Sequence, residues 1–225
     1  MKNMPYRLCL FDIDGTLTDP KPGIVGAYQY ALGLFGVREE PEQLTKFIGP
    51  PLREVFRDFY NFTEPDVEKA VAGFREYYAK AGLYENSVYP GIPETLQALA
   101  DDGRVLAVAT NKTKVVAEFT LKHFGLDSYF AFVSGDKFDG SLSKNGKRDI
   151  IRVALDALDP GREIAAVMIG DRKHDITGAA GNGIDSIGIT WGYGPQAELA
   201  DAGATWIVKS QEELLSLIKK VKKVY

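Results

Sequence analysis

Arg7-Leu8-Cys9-Leu10-Phe11-Asp12-Ile13-Asp14-Gly15-Thr16-Leu17 is the stretch from which this chain is best read. As far as Phe11 it carries the large apolar side chains of a short strand buried on both faces. Asp12 and Asp14 follow at its exit, and Gly15 turns the chain. Two acids at the carboxyl end of a buried strand repel each other and lose hydration, so they call for a cation, a proton or a substrate. Such a device suits chemistry better than packing.

Further strand-like runs recur at Val105–Thr110, Phe130–Ser134, Ala165–Ile169, Ser186–Thr190 and Thr205–Val208, mostly separated by helical patterns. That rhythm predicts an α/β fold, a parallel sheet covered on both faces. From Lys147 to Leu158, Ile150, Ile151, Ala154, Leu155 and Leu158 share one helical face. Near the end, Ser210 and Glu213 have the spacing of a capping box ahead of Leu214, Leu217, Ile218 and Val221. The lysines that follow suit that helix's carboxyl end and read as a solvated face.

Between the first two strands the rhythm breaks for about 90 residues, where a crossover needs only a dozen or more. Three apolar stripes fill this interval: Ile24, Tyr28, Ala31, Leu32 and Phe35; Leu52, Val55, Phe56, Phe59 and Tyr60; and Val67, Val71, Phe74 and Tyr78. They must bury against each other, which predicts an all-helical second domain over residues 21–89, inserted into a core of 1–20 and 90–225. Hinge segments are expected near Pro20–Pro22 and Val88–Pro93.

The Asp12–Leu17 run resembles the signature of the haloacid dehalogenase superfamily, in its phosphatase branch. Ala109-Thr110-Asn111-Lys112, Lys147 opening a helix, and Gly170-Asp171-Arg172-Lys173-His174-Asp175 match the same family in order. The resemblance implies a doubly wound, Rossmann-like core with an inserted all-α cap. It also implies that the strand before Gly170 lies beside the first, gathering four carboxylates at a topological switch point.

In that family Asp12 would be the nucleophile and Asp14 the general acid and base. Mg²⁺ suits an oxygen-only cluster and also binds substrate phosphate. By analogy Asp12 and Asp171 would give it side-chain oxygens, Asp14 its backbone carbonyl, and Asp175 support. A second reading of Asp175 is as the cap of a short helix beginning near Ile176. Thr110 and Asn111 would bind and orient the phosphoryl group, and Lys147, preferred over Lys144, would anchor nucleophile and phosphate. His174 and His123 read as a surface and a structural residue, since hard Mg²⁺ prefers oxygen.

Within the family the cap varies most, and here Phe47–Arg53 is its candidate loop, with Lys46 and Arg57 nearby. Arg53 is a candidate clamp for a second anionic group such as a carboxylate. The chain looks most like phosphoglycolate phosphatases, in a subgroup that includes nucleotidases and pyrophosphatases. A β-phosphoglucomutase-like phosphomutase and a receiver-like phosphate-storing domain are the rival readings. Dehalogenase activity is disfavoured, because those relatives lack the acid represented by Asp14.

Other patterns lead nowhere. Gly140–Arg148 lacks the first glycine of a phosphate-binding P-loop at Ser141 and its Ser or Thr at Arg148. Gly192-Tyr193-Gly194-Pro195-Gln196-Ala197 fits a loose dinucleotide fingerprint with too little chain after it, and reads as a loop.

The 225 residues, 45% of them apolar and 26% charged, have an ordinary globular composition. A formal charge of −4, from 31 acids against 27 bases, argues against a broad nucleic-acid-binding surface. Cys9 is the single cysteine, which excludes an internal disulfide and a thiolate metal cluster and reads as a buried, inert thiol. No run approaches the ~18 apolar residues of a membrane span, and no signal-peptide pattern opens the chain. The expectation is a cytoplasmic enzyme acting on a small phosphate ester, with no nucleic-acid or membrane partner.

Overall fold

In the computed structural model, which describes residues 6–220, the core is a six-stranded sheet. Its strands are Leu8–Phe11 (β1), Val105–Thr113 (β2), Phe132–Asp136 (β3), Ala166–Gly170 (β4), Asp185–Ile189 (β5) and Trp206–Val208 (β6). The order is β3-β2-β1-β4-β5-β6, and every neighbouring pair is parallel. Strand order reverses at β1, so the crevice beyond the carboxyl ends of β1 and β4 is the switch point of an open α/β sheet.

Alternation along β1 divides the core in two. Cys9 and Phe11 join a cluster with Leu96, Leu99, Ala117, Leu121, Leu214 and Ile218 on one face. Leu8 and Leu10 join Ile150, Ile151, Ala154 and Leu155 on the other. The helices Ile92–Asp101, Lys114–His123 and Gln211–Lys220 therefore cover one side. Arg148–Leu158 and Lys173–Ala180 cover the opposite one.

Two of the differences from the sequence expectation within the core have a visible cause. β3 starts two residues late, because Phe130 N donates to Asp127 O (3.2 Å) and closes the short 3₁₀ turn Asp127–Tyr129. At the last helix Glu213 N donates to Ser210 Oγ (3.2 Å), but the Glu213 carboxylate accepts from Lys209 N (2.7 Å), one residue before the expected partner.

The second compact unit runs from Thr18 to Ser87, beginning three residues before and ending two residues before the expected 21–89. It is not helical throughout, since the short strands Thr18–Asp19 and Ser87–Val88 pair where the chain crosses between units. Inside the unit, Tyr28 is buried on the helix Lys21–Gly33 and meets Phe74 (4.9 Å between ring centroids), Phe47 and Phe56 (5.7 Å each). Phe59 was expected in the second stripe, yet it is 60% exposed. Val55–Phe59 winds as a π-helical turn, which slips the 3.6-residue period and rotates Phe59 outward. Among the described residues no helix is long and apolar enough to cross a membrane.

Leu10 is fully buried at the centre of the sheet, whereas Val115 on the helix Lys114–His123 is 77% exposed. Leu10→Ala is expected to lower the unfolding free energy by about 2–5 kcal/mol, and Val115→Ala by no more than about 0.5 kcal/mol, both read from urea unfolding curves.

Candidate active site

The site is built at the carboxyl ends of β1, β2 and β4. Phe11 pairs in register with Ile169 and with Val108, so the residues that follow each strand emerge side by side. Asp12 leaves β1 and is held at once, with Ile13 N donating to Asp12 Oδ1 (2.8 Å) and Asp12 N donating to Ile169 O (3.0 Å). Asp171 and Asp175, beyond the end of β4, are both fully buried. One carboxylate oxygen from each of Asp12, Asp171 and Asp175 falls within a 4.8 Å set.

Lys147 lies among these acids, its side chain 1% exposed. Its Nζ is 2.7 Å from Asp12 Oδ2 and 2.5 Å from Asp175 Oδ1. The residue stands at the N-cap of the helix Arg148–Leu158, whose apolar face anchors it to the sheet. Burial on its own would lower the Lys147 pKa; Asp12 and Asp175 outweigh it and hold the ammonium above its ordinary value.

One lysine does not balance three carboxylates. Burial, with Asp175 and Asp12 close by, pushes Asp171 up to about 8. Burial also lifts Asp175 to about 6 against the pull of Lys147. A dication would relieve both, and the donors are all hard oxygens of the kind Mg²⁺ takes. Gly15 packs directly on the Asp171 carboxylate, where any Cβ would collide with it, and its φ of 83° is one that L side chains rarely adopt.

Asp175 does not precede a helix as its cap residue; it is the third residue of the helix Lys173–Ala180, which begins three residues earlier than expected, and there its side chain completes a capping box with Arg172. Arg172 N donates to its Oδ2 (3.0 Å) while its Oδ1 takes Lys147, so one carboxylate serves both purposes. Thr110 is 1% exposed on β2, and Lys112 N donates to its Oγ1 (3.3 Å); Asn111 follows, half-buried. His174 is half-buried rather than on the surface, because the helix cap folds it inward, and burial lowers it to about 4. Arg53 engages Glu68 (2.7 Å) and Glu64 (2.9 Å) inside the helical unit. Arg57 pairs with Asp58 (2.7 Å), and Lys46 Nζ lies over the Phe47 and Phe59 rings (5.0 and 5.8 Å).

Three participants were given no role in the sequence reading. Lys112 Nζ is 2.9 Å from Asp14 Oδ2, with only 6% of its side chain exposed. Asp14 itself is raised above the usual carboxylate range by burial, which Lys112 only partly offsets. The loop Gly192–Gly194, read only as a connection, holds Asp171: Tyr193 N donates to its Oδ2 (2.8 Å), and Trp191 Nε1 donates to Thr16 O (3.1 Å). A Cβ at Gly192 would collide with the Gly15 carbonyl, so its Gly-x-Gly pattern after a strand marks close approach. Arg172 is the third; its Nε donates to Glu198 Oε1 (2.9 Å), which also accepts from Lys173 N (2.9 Å).

The acidic cluster at the switch point of this doubly wound sheet could hold a divalent cation. The chain belongs to the haloacid dehalogenase-like hydrolases, whose family model matches residues 9–189, and it is a phosphatase of that family. It is 43% identical to a 5'-nucleotidase of Pseudomonas aeruginosa over 86% of this chain and 87% of that protein. It is 38% identical to tyrosine-protein kinase PtkA of Mycobacterium tuberculosis (90% and 68%) and 33% identical to a phosphoglycolate phosphatase of Agrobacterium fabrum (83% and 81%). Among solved structures, a predicted phosphatase from Clostridium acetobutylicum superposes with a TM-score of 0.90 at 42% identity, covering 96% of this chain and 99% of that one.

A raised carboxyl pKa binds a proton in the folded state that the unfolded chain has released. Without a cation, the stability contributed by protonated Asp171 is full at low pH and is lost as pH rises towards about 8. In EDTA, the unfolding free energy of the parent relative to Asp171→Asn is expected to fall from pH ~5 to ~9 by at least about 1.4 kcal/mol, one pK unit's worth. Mg²⁺ should restore it in the parent and not in the variant; a flat difference, with or without Mg²⁺, would count against the cluster as a cation site.

Proposed function

We propose that this chain is a Mg²⁺-dependent phosphatase that hydrolyses a small phosphomonoester through a phosphorylated Asp12. The observation that carries the reading is the Lys147 ammonium shared by Asp12 and Asp175, with Asp171 in the same buried cluster. Asp12 attacks phosphorus as the bond to the leaving oxygen breaks, and Asp14 gives that oxygen a proton. Asp14 then takes a proton from water, which attacks phosphorus and frees the Asp12 carboxylate. Lys147 and Thr110 neutralise the phosphoryl oxygens and Asn111 orients them. Bound Mg²⁺, held by Asp12, Asp171 and the Asp14 carbonyl with Asp175 in support, would supply further positive charge there.

The substrate proposed is phosphoglycolate-like, with Arg53 as the clamp for its carboxylate. That role requires Arg53 to exchange Glu64 and Glu68, and exposed pairs of this kind are worth only about 0.2–1 kcal/mol each. A 5'-nucleotide is the second reading, favoured by the Pseudomonas aeruginosa relative. A small phosphate ester and a lone, buried Cys9 suit a cytoplasmic setting.

The test is phosphate release from 2-phosphoglycolate, 5'-nucleotides, pyrophosphate, sugar phosphates and a phosphotyrosine peptide, with Mg²⁺ or EDTA. Release should require Mg²⁺ and fall by more than about 10³-fold in Asp12→Asn. Undiminished release from that variant, or isomerisation of a sugar phosphate without release, would sink the proposal.

A further inference from the structure

We infer that Lys112 is a positioning residue that grips one oxygen of the Asp14 carboxyl and leaves the other to carry the transferred proton. Two observations converge on it. Lys112 Nζ sits 2.9 Å from Asp14 Oδ2, while Asp14 Oδ1 is buried and has no hydrogen-bond partner among the described residues. A buried carboxylate oxygen without a partner is costly, and one is kept where a ligand supplies the partner.

The second observation is how β2 delivers the lysine. Its pairing with β3 runs regularly from Ala107↔Phe132 to Thr110↔Gly135, then jumps to Thr113↔Asp136. Asn111 and Lys112 are left over, a bulge at the carboxyl end of the strand, where such irregularities re-aim side chains. The Thr110 hydroxyl accepts the Lys112 amide (3.3 Å), which ties the bulge to the residue proposed to meet the phosphoryl group.

The inference rests on Asp14 acting as general acid. In the protonated acid, Oδ2 accepts from the Lys112 ammonium and Oδ1 holds the proton. That proton passes to the leaving oxygen as the bond from phosphorus to that oxygen breaks and the bond to Asp12 forms. A poor leaving group needs this proton, and a good one largely does not.

The experiment compares kcat/KM, which ends at the first irreversible step, for an alkyl phosphate and for p-nitrophenyl phosphate. In Lys112→Met the alkyl ester should lose about 10²-fold and the aryl ester no more than about 3-fold, while Lys112→Arg stays close to the parent on both. Thermal melts check that each variant folds, and Lys112→Gln replaces the methionine variant if that one does not. Equal losses on both esters, as for a lysine that only binds substrate, would overturn the inference, as would no loss on either. If the parent and Asp12→Asn release phosphate equally, the hydrolase reading itself fails and takes this one with it.

Discussion

One ammonium group and three buried carboxylates set the terms for the rest of the core. Lys147 can neutralise Asp12 and Asp175 only because β1 and β4 are parallel neighbours and the helix Arg148–Leu158 seats its first residues on the sheet. Buried ion pairs add little net stability, since desolvation offsets much of their attraction. An arrangement that remains short of positive charge after its lysine is counted makes sense as a receptor for more. That shortage is what marks the cluster as the candidate site.

Much of this was legible from the chain. The apolar run into Asp12, the alternation of strand and helix, and the apolar face after Lys147 are local patterns with fixed periods, and they survive folding nearly unchanged. The two-sided core follows from them, whereas the neighbouring placement of the strands that carry the acids came from the family resemblance and not from any period. What escaped depends on partners far apart in sequence. Lys112 and Asp14 are joined through a bulge that no periodicity reveals, and Tyr193 reaches Asp171 by a backbone amide that has no side-chain signature. His174 looked exposed because a polar loop was expected where a capped helix turns it inward. Phe59 escaped because a π-helical turn breaks the period on which stripe counting relies.

The candidate site belongs to one of the two units. Every acid of the cluster, with Lys112, Lys147 and Thr110, belongs to the α/β unit, whereas the helical unit is organised around Tyr28 and its aromatic neighbours.

Cys9 lies one residue before Leu10 on β1, with no exposed surface and a thiol that burial pushes up to about 12. Alkylating reagents and oxidants act on the accessible thiolate, a form this residue does not offer while the sheet is intact. Its labelling rate is accordingly a clock for disassembly of the strand that carries the acids, deaf to motions at the periphery. A chain with one sulfhydryl in that place holds its own probe of core integrity.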